Sequence, residues 1–247
     1  MTKAAIATRT LRSPRRRHSP GPAAWERVGA VSGVGGATGI VVAMCILSST
    51  PSVDSSPDAV RDHLGNHDTL IVASAYAIMV AALLLVPFLA SLRTFTARRT
   101  DVPKWRWAVS LVAGATGIAM LALAGALLAT ATVLAERSPA DDAAFAVFVA
   151  AKLVATLALL PVAGLVLANA RTIATTQQRP ERRLIRFDIE IAIMVVVASV
   201  VSFVHHAWLG PGEPVVAGAW FLIGLWVFAL ARTIVRDDHD LPSEAAS

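Results

Sequence analysis

Lys152 lies about ten residues into an otherwise uncharged stretch between Asp142 and Arg171. An ammonium at the centre of a bilayer costs roughly 2.5 to 3.5 kcal/mol. Its neighbours one helical turn away, Phe148, Val149, Ala155 and Thr156, include no carboxylate. The side chain must therefore reach the interface along its own stem, find a partner on another span, face a water-filled cavity, or sit neutral. In a cavity it would form a charge-selective site on a translocation path or in a ligand pocket; the plainer alternative is a snorkelling lysine.

A second constellation joins His63, His67, Asp62, His205 and His206. Imidazoles with a carboxylate suit zinc or another divalent ion, and the same groups could sense pH. Spacing argues against a ready-made site. Gly65, between His63 and His67, is expected to end a helix there, and adjacent residues such as His205 and His206 point about 100° apart on a helix. Ordinary interfacial histidines are the plain reading. A third group is Asp188 and Glu190, preceded by Arg182, Arg183 and Arg186. Local pairing at a helix start accounts for these carboxylates, with a proton relay as the sharper alternative. No serine–histidine–acid set at matching depth, paired carboxylates within a span or histidine pair placed for haem points to an enzyme, and no cofactor is implied. The lone Cys45 excludes an internal disulfide and is expected to be a buried apolar thiol.

The elements that must position these groups follow from composition. Of 247 residues, 55% are hydrophobic and 16% charged, against about 25% charged in a soluble domain. The charges are clustered, and the runs between them match the roughly 20 residues that cross a bilayer core. Six spans are expected, over about 28–49, 69–92, 107–135, 143–170, 187–209 and 215–235. Backbone polar groups in lipid allow only helices or closed barrels, and these runs lack a barrel strand's alternation. The expected fold is all-α, a polytopic six-helix transmembrane bundle.

Orientation comes from basic residues near span ends. The N-terminal stretch, the loops after spans two and four, and the C-terminal stretch together hold nineteen Lys and Arg; the alternate loops hold Arg61 and Arg137 alone. Both termini are then cytoplasmic. The net charge of +5 resolves into +10 inside, −6 outside and Lys152 in the membrane. Attraction to anionic inner-leaflet lipids follows, and nucleic-acid binding does not. Trp25, Trp105, Trp107 and Trp208 fall at expected edges, while Trp220 and Trp226 lie inside span six as packing residues. Residues 1–24 form a basic, disordered tail and 236–247 an acidic one. Pro87 and Pro161 interrupt spans two and four, freeing the carbonyls of Leu83 and Leu157. The small pairs Gly29/Gly33, Gly35/Gly39 and Ala113/Gly117 suit close helix packing, within the bundle or between subunits of a homo-oligomer.

One loop carries its own helix signature. Ser56 can cap, Pro57 suits the first position, Asp58 favours the positive end of the dipole and Gly65 can close the segment in a left-handed conformation. A helix over about 57–64 would lie on the outer leaflet, with Val60 and Leu64 facing the membrane.

Four stretches carry a family likeness: Trp25-Glu26-Arg27-Val28-Gly29-Ala30, Pro57-Asp58-Ala59-Val60-Arg61-Asp62-His63-Leu64, Ser74-Ala75-Tyr76 and Ser91-Leu92-Arg93. Over about residues 24 to 235 the chain resembles an uncharacterised family of small multi-span membrane proteins of high-GC Gram-positive bacteria. The resemblance implies a fold and a bacterial inner membrane, with no functional residues to carry over. Two functions stay open: a small transporter or ligand-binding protein with a polar site near Lys152, and a non-catalytic membrane protein that binds partners or assembles.

Overall fold

Long apolar runs can satisfy their backbone in hydrocarbon only by closing hydrogen bonds within each segment, and the computed structural model of this chain does so. It describes residues 24–52, 54–99, 104–137, 142–176, 182–204 and 214–236. Among the described residues every regular element is helical. In chain order these are α1 (Ala24–Leu47), α2 (Pro57–Asn66), α3 (Asp68–Arg99), α4 (Lys104–Arg137), α5 (Ala143–Leu157), α6 (Leu159–Thr176), α7 (Arg182–Val204) and α8 (Pro214–Arg236).

Five stretches are long and apolar enough to cross a membrane: Ala24–Leu47, Asp68–Ala97, Trp107–Arg137, Ala143–Ala170 and Val215–Val235. They coincide with five of the six expected spans. The remaining one corresponds to α7, and its last residues, 205–209, lie outside the described residues. Large apolar side chains cover the outside of the bundle, with Leu83 69% and Val31 70% exposed. In water so much exposed apolar surface would be a liability; against lipid it is the matching solvent.

α1 packs along α3 and α8, α4 along α3, α5 and α6, and α7 along α6 and α8. Glycine sets the tightest of these contacts. A Cβ at Gly29 would stand 2.3 Å from the Ser91 Cβ, and one at Gly36 2.9 Å from the Ala81 carbonyl oxygen. The small residues of α1 thus serve packing inside the bundle.

The two prolines behave differently. α3 runs unbroken through Pro87, so the expected interruption of span two does not occur. Pro161 has the expected effect: α5 ends at Leu157, whose carbonyl has lost its donor four residues on, and α6 begins at Leu159. α3 is held by α1 and by α4, which keeps its dihedrals helical past the missing bond. Cys45 also departs from expectation. It is exposed on α1, where an apolar thiol meets lipid as readily as core.

At the end of α1 three successive hydroxyls take over the last carbonyls. Ser48 Oγ donates to Cys45 O (2.6 Å), Ser49 Oγ to Ile46 O (2.8 Å) and Thr50 Oγ1 to Leu47 O (2.7 Å). The chain then turns into α2 through the expected cap, Ser56 Oγ accepting from Ala59 N at 3.3 Å with Pro57 in the first turn. Two expectations for α2 fail. Gly65 does not close it: the helix continues to Asn66 and His67 forms its C-cap with φ −126°. Nor do Val60 and Leu64 face the membrane. Both are fully buried, because α2 lies across the ends of α3, α4 and α5 and finds its apolar cover there.

Candidate functional site

The end of the bundle that carries α2 gathers three of the expected site residues. α5 places Lys152 beneath the segment joining α1 and α2, where it is 6% exposed. Its Nζ donates to the Pro51 carbonyl and stands 4.9 Å from the centroid of the Phe148 ring. A four-carbon stem makes this possible: the ammonium rises out of the apolar layer and meets a main-chain oxygen of the loop. Of the alternatives open to it, the lysine reaches outward along its stem, and the acceptor at Pro51 is a loop carbonyl and not a group on another span. Beside the stem lies a void of about 30 Å³ lined by Met44, Leu47, Thr50, Ile78, Phe148 and Lys152, among others.

Above it, the continuation of α2 past Gly65 brings two histidines together. The rings of His63 and His67 stack with centroids 4.5 Å apart and planes 21° from parallel. His67 N donates to His63 O at 3.1 Å, and the His67 Nδ1 lies 3.3 Å from the same oxygen. Burial holds the His63 imidazole below its ordinary 6.5, with smaller contributions from His67 and from Lys152. Each of these disfavours a further positive charge.

Asp62 does not join them. It is exposed on α2, where Arg61 instead pairs with Asp58 at 2.9 Å. His205 and His206 lie outside the described residues. Among the described residues no three His, Cys, Asp or Glu side chains group as metal ligands would. Two imidazoles alone fall short of the three or four protein ligands that zinc takes.

At the opposite end the expected local pairing forms for Glu190 and not for Asp188. Arg186 Nε pairs with Glu190 Oε1 at 2.7 Å, and both side chains are exposed. Asp188 takes no part in that pairing. It is 4% exposed, and its Oδ1 accepts from Trp226 Nε1 across to α8 at 3.1 Å. Its Oδ2 is buried without a hydrogen-bond partner. The Trp226 ring in turn lines an apolar void of about 40 Å³ between α1, α3, α4, α6 and α8, shared with Phe88 and Trp220. A signal was present: an indole in the middle of a span needs an acceptor for its N–H. What single-chain spacing could not supply was which carboxylate, since Asp188 and Trp226 are 38 residues apart.

A smaller polar cluster joins α3, α4 and α6. Asn169 Nδ2 reaches Ser110 Oγ at 3.4 Å, and the Arg93 guanidinium lies 4.6 Å from the Trp107 ring centroid. Compared with protein-family models, curated proteins and solved structures, the chain matches none.

Proposed function

We propose that this chain is a six-span protein of the bacterial inner membrane, with both termini cytoplasmic and α2 on the outer face. Its role is that of a small transporter or ligand-binding protein whose polar site centres on Lys152. α7 is the remaining span in this reading, and the nineteen-to-two distribution of basic residues sets the orientation.

The observation that carries the functional part is a buried cation under a cover that is not itself a span. α2 rests on the bundle through Val60 and Leu64, and beneath it Lys152 borders a void. Undocking this short helix would expose an ammonium to the outer side without disturbing a transmembrane helix. The ligand class that an ammonium selects is a small anion.

The Lys152–Pro51 contact also favours a second reading, in which the lysine is a latch and the protein a non-catalytic partner or assembly component. Thermal unfolding of the purified protein in detergent separates the two. With chloride, acetate and phosphate as probes, the first reading expects at least one anion to raise the wild-type midpoint and to leave Lys152→Met unmoved; an anion at 100 times its Kd adds about 2.7 kcal/mol. If wild type and Lys152→Met respond alike to every anion, with the variant merely less stable, the latch reading holds.

A further inference from the structure

α7 turns Asp188 away from the exposed Arg186–Glu190 pair and into its contact with α8. An ionised carboxylate presents roughly four lone-pair sites, and here one neutral N–H, from Trp226, fills one of them. Leaving the buried Oδ2 of a charged group without a partner is costly. A cation on Oδ2 removes that cost, and the surroundings narrow its identity. Metal ions such as Ca²⁺ and Mg²⁺ need six or more oxygen ligands, whereas Asp188 offers one unfilled oxygen and Trp226 is a donor only. A proton needs a single oxygen.

We propose that Asp188 is a reversible proton-binding site within the helix bundle, Oδ2 carrying the hydrogen while Oδ1 keeps its bond from Trp226. The step is simple: water supplies the proton, an O–H bond forms on Oδ2 and the local charge goes from −1 to zero. On release the proton returns to water. Among the described side chains, the other buried carboxylate is Glu26 on α1, which packs on α8 and not along α7, and the charged groups on the elements packed against α7 are engaged or exposed elsewhere. On α7 Arg186 and Glu190 hold each other, and on α8 Arg232 is exposed. On α6 the described side chains, through Ala170, carry no charge, and on α5 Lys152 is bound at the far end.

The site has an output. A hydrogen bond to an ionised acceptor is shorter and roughly twice as strong as a neutral one, so losing the proton draws the Trp226 indole toward Asp188. Because that ring forms part of the wall of the central void, the charge on Asp188 and the shape of the void change together. This inference stands whichever reading of Lys152 is right.

Infrared difference spectroscopy of the full chain in lipid nanodiscs, titrated from roughly pH 8 to 5, tests it. A carboxylic-acid C=O stretch is expected to grow in with acid and to shift with ¹³C-aspartate labelling. It should be lost in Asp188→Asn, and Trp226→Phe should move its midpoint. The labelled wild type keeps the test decisive if a variant fails to fold. An unchanged band in Asp188→Asn, or no labelled carboxylic-acid band in the wild type, overturns the proposal. So does a midpoint that moves when sodium replaces potassium, which would make the ligand a metal cation.

Discussion

Lys152 and Asp188 are both buried in this bundle, and they are satisfied in opposite ways. At the α2 end a lysine reaches past its own apolar layer to a loop carbonyl. At the other end an aspartate, with a single methylene, reaches only as far as the next helix and finds half of what it needs. Stem length decides the difference: a long side chain carries its charge to a polar region, whereas a short one must be served where it stands. The group that looks most anomalous in the sequence is thus well accommodated, and the one that looks ordinary keeps an open valence.

Three measurements would break or sharpen this contrast. The largest effect belongs to the cover of the α2 end. Leu64→Ala removes half of the buried face of α2 and should cost about 3 kcal/mol, read from denaturant unfolding in detergent. Proteolysis or hydrogen exchange should place the loss in residues 48–67, so a loss spread evenly over the bundle would show that α2 is no separate cover. Next comes the other end. Trp226→Phe leaves both Asp188 oxygens without a donor and should cost about 2 kcal/mol. Arg186→Ala, which breaks an exposed pair, should stay below about 0.5 kcal/mol. Equal costs for the two variants would erase the distinction between buried and surface carboxylates.

The smallest effect is a pH dependence. The folded His63 imidazole is held below 6.5, so the undocked state binds a proton more readily. Docking of α2 is therefore strongest above the undocked value and weakens as pH falls below about 6.5 toward the folded value. The protection factors of α2 amides, with the intrinsic pH dependence of exchange divided out, should fall between about pH 7.5 and 5.5, and His63→Gln should flatten the change. An exchange profile in the wild type as flat as in His63→Gln would remove the stacked pair from any switching role.

How much of this was legible in the sequence depends on the range of the contact involved. Five spans, the Ser56 cap of α2 and the break before Pro161 follow from composition and from bonds within a few residues, so spacing along one chain reveals them. Gly65 misled because a glycine four residues before Thr69 is as compatible with a helix interior as with its end; open space around it imposed neither. The orientation of Val60 and Leu64 was read correctly as one apolar face but assigned to the wrong neighbour, since the sequence does not state that α3, α4 and α5 leave room for it. The Asp188–Trp226 bond was hidden for the same reason: local arginines gave a sufficient partner in sequence, and only the packing of α7 on α8 turns the carboxylate away from them.

The hydrogen bond from Lys152 to Pro51 joins residues 101 positions apart, which has a consequence for how the protein is made. When α2 leaves the ribosome its bed does not yet exist, because α3, α4 and α5 are still to be synthesised. Val60 and Leu64 must wait at the membrane surface until α5 arrives carrying both the last wall of that bed and the lysine that fastens the loop above it. The α2 end is therefore closed by the fourth long apolar stretch to be made, and a chain halted before Lys152 would hold the first three with α2 still undocked.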